Sequence, residues 1–261
     1  MMKFFRGIRQ NSGASGNTNK YLKYALGEVL LVVFGILIAF QLNQWNDHRK
    51  KLHLENDYYC RLLDDIRLDK EQFINLSRLA EDRLVASNQC ARLLLAGTTD
   101  MIEIGEQVTL ATKAIYSDFR PNNSAYQDLK SGANLNIIRD KSVIKALNHY
   151  FNRVEELKSI IMINGQHAVD LLYAHEDHFV NGSALASIRS GRFYSGLDED
   201  LKQPIQSLAA QQLSAPMRKR LLNESLDYIS TNTRQIELYS TVLEEIKALH
   251  QLLERKCDGK Q

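Results

Sequence analysis

The stretch from Ala25 to Leu42 reads ALGEVLLVVFGILIAFQL and decides the fold of this chain. As a helix that rises about 1.5 Å per residue it would be about 27 Å long, close to the thickness of a bilayer's hydrocarbon core. Glu28 is its single charged residue. The pattern therefore predicts one membrane-spanning helix, with interfacial aromatic anchors at its two ends at Tyr21, Tyr24 and Trp45.

A cleaved signal peptide and a buried helix of a soluble domain are the alternatives to an anchor. The apolar stretch exceeds the usual signal-peptide core of about 7–15 residues, and the segment Phe40-Gln-Leu-Asn-Gln-Trp45 offers no small-x-small cleavage site. A buried helix that is apolar nearly all round would need cover on every side. An uncleaved anchor is the better interpretation.

The basic residues on either side of the stretch predict its orientation. Five precede it and three follow it closely, namely Lys3, Arg6, Arg9, Lys20 and Lys23, then Arg49, Lys50 and Lys51. Because basic flanks favour the cytoplasmic side, we expect an inner-membrane protein with a cytoplasmic N-terminus and a periplasmic domain. The predicted organisation is a basic flexible tail over 1–20, a transmembrane helix over 21–46, an extracytoplasmic helical domain over 47–257 and a tail over 258–261.

Composition favours an all-helical domain after the anchor. Three prolines and thirteen glycines in 261 residues, with abundant Leu, Glu, Lys, Arg and Gln, are few turn-formers for a sheet protein. The net charge of +2 includes the basic N-terminal residues, so the remainder is slightly acidic. Nucleic acid is therefore not an expected partner, whereas the lipid bilayer is.

Apolar residues recur every seven positions and predict three long amphipathic helices with shorter pieces between them. The long helices are expected over Tyr21 to Leu95, from the N-cap Asp140 to about Val180 with Asn181-Gly182 closing it, and from Ser214-Ala-Pro216 to near Cys257. The short ones are expected over Glu106 to Ser117, from a cap at Asn123 or Ser124 to Lys130 with Gly132 as a left-handed terminator, and near Gln203 to Gln212. The fold class is all-α, an antiparallel bundle of four-helix-bundle type.

The histidines are the first place to look for a metal site. His167, His175 and His178 lie near one another, but His175-Glu-Asp-His178 lacks the zinc-protease spacing of two histidines at i and i+4. The chain has no Glu-x-x-His pair of the kind found in di-iron bundles. Solvated or capping histidines are the preferred interpretation, and a metal site formed by these three is the alternative.

The cysteines suggest neither redox chemistry nor a disulfide framework. Three of them, Cys60, Cys90 and Cys257, make no even set. On one continuous helix, Cys60 and Cys90 would lie about 45 Å apart and could not pair. We expect both to be small buried residues. A nucleophile elbow, a phosphate-binding glycine loop and a dinucleotide fingerprint are absent from the sequence, so no enzyme activity and no cofactor are predicted.

Two further features stand out. The segment FRPNNSAYQDLKSG, from Phe119 to Gly132, joins a turn, a capped helix and aromatic and charged side chains. It is either a structural cap or a partner surface formed by Phe119, Arg120, Tyr126 and Asp128.

In the last helix, Asn232 and Thr233 are expected to make a polar layer of structural hydrogen bonds.

The second feature is a polar and small face on the membrane helix. Glu28, Gly35 and Ala39 project within about 20° of one direction at 100° per residue, and Gly35-x-x-x-Ala39 is a small-xxx-small pair. This face predicts self-association or pairing with another membrane helix, which would bury Glu28. A Glu28 without a partner near the headgroups is the alternative.

Two segments carry a resemblance to a known family. Lys20-Tyr-x-x-Tyr-Ala-x-Gly-Glu28, continued by Leu31-Val-Val-x-Gly-Ile-Leu-Ile-Ala39-x-Gln-x-Asn-Gln-Trp-Asn46, resembles the amino-terminal signature of an uncharacterised family of single-pass membrane proteins common in Bacteroidota. Phe119 to Gly132, followed by Leu135 and Ile138, is similar to its second block. The resemblance implies a membrane anchor, a helical extracytoplasmic domain and no assigned activity.

Three functional hypotheses follow. The first is a non-enzymatic sensor or accessory module that binds a protein partner or a small ligand. The second is an envelope metalloenzyme built on the three histidines. The third is a structural oligomeric scaffold.

Overall fold

The computed structural model describes residues 18–116, 119–132, 134–208 and 213–259, and over these ranges its long elements are all helices. They are α1 (Thr18–Ala96), α2 (Met101–Thr112), α3 (Ser124–Ser131), α4 (Lys141–Tyr173), α5 (Ser183–Ser190), α6 (Glu199–Leu208) and α7 (Ala215–Cys257), with a single 3₁₀ turn at Asn134–Asn136. The all-α prediction is confirmed for this part of the chain. The predicted tail over 1–20 lies almost wholly outside the described residues.

The chain divides into two compact units, Met1–Glu55 and Asn56–Gln261, and the boundary falls within α1. In the described part of the first unit, the apolar side chains from Leu26 to Leu42 are exposed. α1 is long and apolar enough to cross a membrane, with a window of mean hydropathy 2.3 that has no buried residue. A water-soluble helix would hide such a surface.

The core of the second unit consists of two clusters of buried apolar side chains. One cluster joins apolar side chains of α1, α3, α4 and α7, including Ile66, Phe73, Leu129, Val154 and Ile246. A second cluster lies where the C-terminal part of α1 meets α2, α5 and the first turns of α7, and it includes Leu94, Ile104, Leu185 and Leu221. The long helices α4 and α7 and the part of α1 in this unit thus each bury one stripe against their neighbours.

Several predicted helix ends are confirmed. Gly97, with a φ of +79°, follows the end of α1. The Asp140 side chain accepts a hydrogen bond from the Ser142 backbone N–H at 2.9 Å and caps α4. Ser214 caps α7, which has a proline in its first turn and ends at Cys257. These ends were predictable because capping depends on a few neighbouring residues.

Other helix ends differ from the prediction. α2 begins at Met101 rather than Glu106, because the Asp100 carboxylate caps the backbone N–H groups of Ile102 and Glu103. α6 covers Glu199–Leu208 rather than the segment near Gln203 to Gln212. Gly132 is not a left-handed terminator, since its φ is −77°.

The end of α4 and the start of α5 also differ from the prediction, and Asn181 gives the reason. α4 ends at Tyr173, and the Asn181 Nδ2 donates to the Leu172 carbonyl at 2.9 Å. The Asn181 Oδ1 accepts from the Ser183 backbone N–H at 3.0 Å and starts α5. One side chain thus satisfies the end of one helix and the beginning of the next, whereas the predicted helix continued to about Val180.

A disulfide between Cys60 and Cys257 corrects the cysteine analysis. The two Cα atoms are 4.9 Å apart, although 197 positions separate the residues in sequence. An odd number of cysteines did not exclude one pair, and Cys257 comes to Cys60 because α7 packs against α1 in the core. Cys90 is buried as predicted, and burial raises the pKa of its thiol.

Candidate ligand-binding cavity

An open cavity of about 710 Å³ lies in the second unit, within the size range of small-molecule sites. Its walls are the C-terminal turn of α2, the C-terminal part of α4, the first turns of α5, and the loops that follow α2, α4 and α5. Its lining comprises Thr109, Thr112, Lys113, Ala114, Tyr116, Val169, Leu172, Tyr173, His178, Ser183, Ala184, Ser187, Arg192, Phe193 and Tyr194. We call this space the α2–α5 cavity.

One wall depends on a close approach of α2 to the start of α5. A Cβ on Gly105 would lie 1.9 Å from the Gly182 carbonyl oxygen, and a Cβ on Gly182 would lie 1.9 Å from the Met101 carbonyl oxygen. Gly182 also has a φ of +72°, a conformation that costs other residues free energy. Glycine at both positions allows backbone contact, which places Thr109 and Ser183 on the same wall.

The opposite wall depends on Gly165 in α4. A Cβ there would lie 3.0 Å from the Ile115 carbonyl oxygen and 3.1 Å from the Tyr116 Cα. The turn after α2, from Lys113 to Tyr116, therefore lies directly on the backbone of α4. This contact fixes the position of Lys113 and Tyr116 at the cavity.

A buried polar layer holds the same turn from the side of α1 and α7. Arg83 of α1 is 3% exposed, and its guanidinium donates to the Asn232 Oδ1 at 2.7 Å, to the Gln235 Oε1 and to the Lys113 carbonyl at 3.4 Å. The Gln235 Nε2 donates to the Ile115 carbonyl at 2.8 Å. Burial lowers the pKa of Arg83, which stays far above neutrality because guanidinium starts so high.

This layer confirms part of the polar-layer prediction and corrects the rest. Asn232 is fully buried, and its Nδ2 donates to the Ala111 carbonyl at 3.2 Å and to the Ser87 Oγ at 3.3 Å. Thr233 is exposed instead, because the next residues of α7 that face the core are one turn further on. The layer's second amide is Gln235, which the sequence analysis did not name.

Two lining residues hold an unfavourable backbone conformation. Among the residues that the structure describes, Ala114 and Phe193 are the non-glycine residues with positive φ, at 51° and 49°. Such conformations cost about 1–3 kcal/mol each and cluster at functional sites. Both residues line the α2–α5 cavity, one in the loop after α2 and the other in the loop after α5.

The three candidate histidines have separate surroundings. His167 is exposed on α4. The His175 side chain is buried, with Nε2 2.9 Å from a Glu224 carboxylate oxygen and Nδ1 without a hydrogen-bond partner. His178 lines the cavity, and its Nε2 is 2.6 Å from the Tyr194 hydroxyl. In the described ranges, no three His, Cys, Asp or Glu side chains are grouped as a metal site would need.

The segment from Phe119 to Gly132 lies against α1. Phe119 and Tyr126 are buried in the core, so their side chains do not form the expected partner surface. Arg120 is exposed, and its backbone N–H donates to the Gln72 Oε1 at 3.0 Å. Asp128 is half-exposed and pairs with Arg61 at 3.0 Å.

Two carboxylates of α1 organise this segment. The buried Asp69 accepts from the Asn122 backbone N–H and from the Tyr150 hydroxyl, both at 2.7 Å, and burial raises its pKa despite these bonds. Asp65 accepts from the Ala125 backbone N–H at 2.9 Å and caps α3, in place of the expected Asn123 or Ser124. These contacts agree with the structural-cap interpretation.

The polar and small face of the membrane helix is exposed in the first unit. Glu28 and Ala39 are exposed, and a Cβ on Gly35 would meet no heavy atom within 4 Å. The face is therefore open to another helix, and the self-association prediction stands as a prediction.

The cavity residues are not predictable from the sequence pattern. Lys113, Tyr173 and Arg192 come from three separate segments, and no spacing relates them. One local signal was available: Gly191-Arg-Phe-Tyr-Ser-Gly196 places a cation and two aromatics between two glycines. It lies outside the helices that the sequence predicts.

Comparison with known proteins gives one match. The family model of DUF6090, described as a family of unknown function, matches residues 28–203. This range includes most of the apolar stretch and every residue that lines the α2–α5 cavity. No curated protein and no solved structure matches the chain in the corresponding comparisons.

Proposed function

Because the chain belongs to DUF6090, a family of unknown function, we propose its function from its own residues. It is a membrane-anchored helical module that binds a small ligand outside the cytoplasm, as a sensor or accessory protein would. The anchor is the apolar part of α1, and the domain that follows is an antiparallel bundle, which the core shared by α1, α4 and α7 supports. The ligand site is the α2–α5 cavity, and the proposal includes no catalysis.

The energetics of the apolar stretch support the anchor. About a dozen Leu, Ile, Val and Phe residues contribute about −4 to −7 kcal/mol to insertion, against at most about +3 kcal/mol for one acid. Glu28 lies near one end of the stretch, where its cost is smaller. Insertion is therefore favourable even if Glu28 finds no partner.

The disulfide is the observation that carries the proposal. Disulfides persist in oxidising compartments and are rare in the cytosol. Cys60 lies in the same helix as the apolar stretch, on its C-terminal side. The Cys60–Cys257 pair and the excess of basic residues before the stretch thus favour the same orientation by independent arguments, with the second unit outside the cytoplasm.

The contacts of α1 suggest how a bound ligand could act on the anchor. Arg83 of α1 donates to the Lys113 carbonyl, and the Lys113 side chain borders the cavity. A ligand that moved this turn would change hydrogen bonds made by the helix that also carries the apolar stretch. Small helix shifts and altered helix association are established ways of passing such a change on. The change that results from ligand binding would be altered self-association through Glu28, Gly35 and Ala39.

Reporter fusions test the orientation. Alkaline phosphatase fused after Gln261 should be active, and a fluorescent protein that matures only in the cytoplasm should stay dark at the same position. The matched control places the fluorescent protein before Met1, where it should fluoresce. An inactive phosphatase with a bright C-terminal fluorescent fusion would overturn the proposed orientation.

A further inference from the structure

We propose that the α2–α5 cavity binds an organic anion, with one carboxylate-type group on an apolar or aromatic body. This inference rests on the proposed function and narrows its ligand. It follows from the charge of the lining, from the buried cation behind one wall, and from the aromatic side chains that the lining leaves exposed.

The titratable side chains of the lining include cations and a histidine but no carboxylate. Lys113 and Arg192 enter from the loops after α2 and α5, and His178 enters from the loop after α4. Of the described residues that line the cavity, none is Asp or Glu. A second depression shares Thr109 and Arg192 with the cavity, and Glu106, the acid in its lining, already pairs with Arg189. A carboxylate in the cavity would therefore meet attraction without a competing acid.

Arg83 adds positive charge behind the wall formed by the turn after α2. Its three acceptors in the structure are the Asn232 and Gln235 side-chain amides and the Lys113 carbonyl, and all three are neutral. Arg61 of the same helix, by contrast, pairs with the Asp128 carboxylate. The charge of Arg83 is thus solvated by neutral dipoles, with the Asp82 carboxylate acting on it through space, and a low-dielectric interior transmits such a field well.

The rest of the lining suits an apolar body. Tyr116, Tyr173 and Phe193 expose 62%, 70% and 86% of their surface around the opening. Val169 and Leu172 of α4 lie between them in the lining. Exposed aromatic side chains around a concave site with a few placed cations are typical of sites for amphiphilic small molecules. A purely inorganic anion would leave these side chains uncovered.

Matched benzophenone photoprobes test the assignment in the full chain in lipid nanodiscs. The anion is 4-benzoylbenzoate, the cation is 4-benzoylbenzylammonium, and the neutral probe is 4-benzoylbenzyl alcohol. After irradiation, mass spectrometry of the peptides that contain Tyr173 and Phe193 measures labelling of the cavity. Peptide mapping separates the cavity from probe dissolved in lipid, which would label the apolar stretch.

The anion should label the cavity peptides at least about tenfold more than the cation does. The double variant Lys113→Gln/Arg192→Gln should reduce anion labelling to the level of the neutral probe. The matched control Lys145→Gln/Lys219→Gln removes two exposed lysines of α4 and α7 outside the lining and should leave labelling unchanged. If the double variant does not fold, raising salt from about 0.05 to 1 M should cut anion labelling several-fold in the native chain and spare the neutral probe.

A blocking variant separates the failure of this inference from the failure of the proposed function. Thr109→Trp places a large side chain in the lining and should abolish cavity labelling by every probe. If the three probes label the cavity equally and Thr109→Trp abolishes this labelling, the preference for an anion is wrong and the cavity remains a binding site. Cavity labelling that Thr109→Trp leaves unchanged for all probes would overturn the cavity itself, and with it the ligand site of the proposed function.

Discussion

Reduction of the Cys60–Cys257 disulfide should lower the free energy of unfolding of the second unit by about 2–5 kcal/mol. The bridge closes a loop across 197 positions, for which the chain-entropy relation gives about 5 kcal/mol at 25 °C. Removal of native disulfides from small domains costs about 2–5 kcal/mol, which sets the lower bound. The loss comes from the unfolded chain, because the reduced chain has far more freedom to lose on folding.

Pulse proteolysis across a urea series measures this change in the full chain in detergent, with and without a reductant. The Cys60→Ala/Cys257→Ala variant is the matched control: without reductant it should match the reduced native chain, and reductant should not change it further. Cys90→Ala should keep its response to reductant, since Cys90 is outside the bridge. A decrease below about 1 kcal/mol on reduction would refute the reasoning that the bridge restrains the unfolded chain.

Three further predictions concern single residues. Asp140→Asn keeps a capping side chain but loses the ion pair with Lys256, the main cause of the low Asp140 pKa of about 2. The paired carboxylate stabilises the fold above its unfolded pKa of about 3.9, and this stabilisation is lost as pH falls towards 2. In urea unfolding the variant should therefore lose about 1 kcal/mol of unfolding free energy at pH 7 and nothing near pH 2. Gly105→Ala should lower the free energy of unfolding by at least about 2 kcal/mol, because the new methyl group would push away the Gly182 backbone. Amide hydrogen exchange in α5 should then be faster, and unchanged exchange would contradict the close approach. Arg83→Met should lower the free energy of unfolding by about 3 kcal/mol or more, because it leaves two buried amide oxygens without a hydrogen-bond donor. A loss under about 1 kcal/mol in thermal unfolding would contradict the polar layer.

The sequence predicts those features of the fold that depend on neighbouring residues. The Asp140 and Ser214 caps and the buried stripe of α4 follow from local spacing, and the structure has them. The end of α4 could not be predicted in the same way. It depends on Asn181, whose side chain bonds back to the Leu172 carbonyl across the intervening loop.

The candidate site could not be predicted from the sequence for a related reason. The lining of the α2–α5 cavity comes from six segments, which two glycine-dependent contacts bring together. Nothing in the sequence pairs Gly105 with Gly182 or Gly165 with Ile115 before the helices are packed. The disulfide is the same kind of feature, since Cys60 meets Cys257 only after α1 and α7 have packed.

The state of Cys60 and Cys257 in living bacterial cells tests the central claim most directly. Cells that express the full chain are quenched in acid, free thiols are blocked, and disulfides are then reduced and labelled with a maleimide that adds mass. The account predicts that Cys60 and Cys257 both gain the label and that Cys90 does not, with the protein in the membrane fraction. A membrane-bound chain with all three thiols already free at quenching would place the second unit in a reducing compartment and contradict the account.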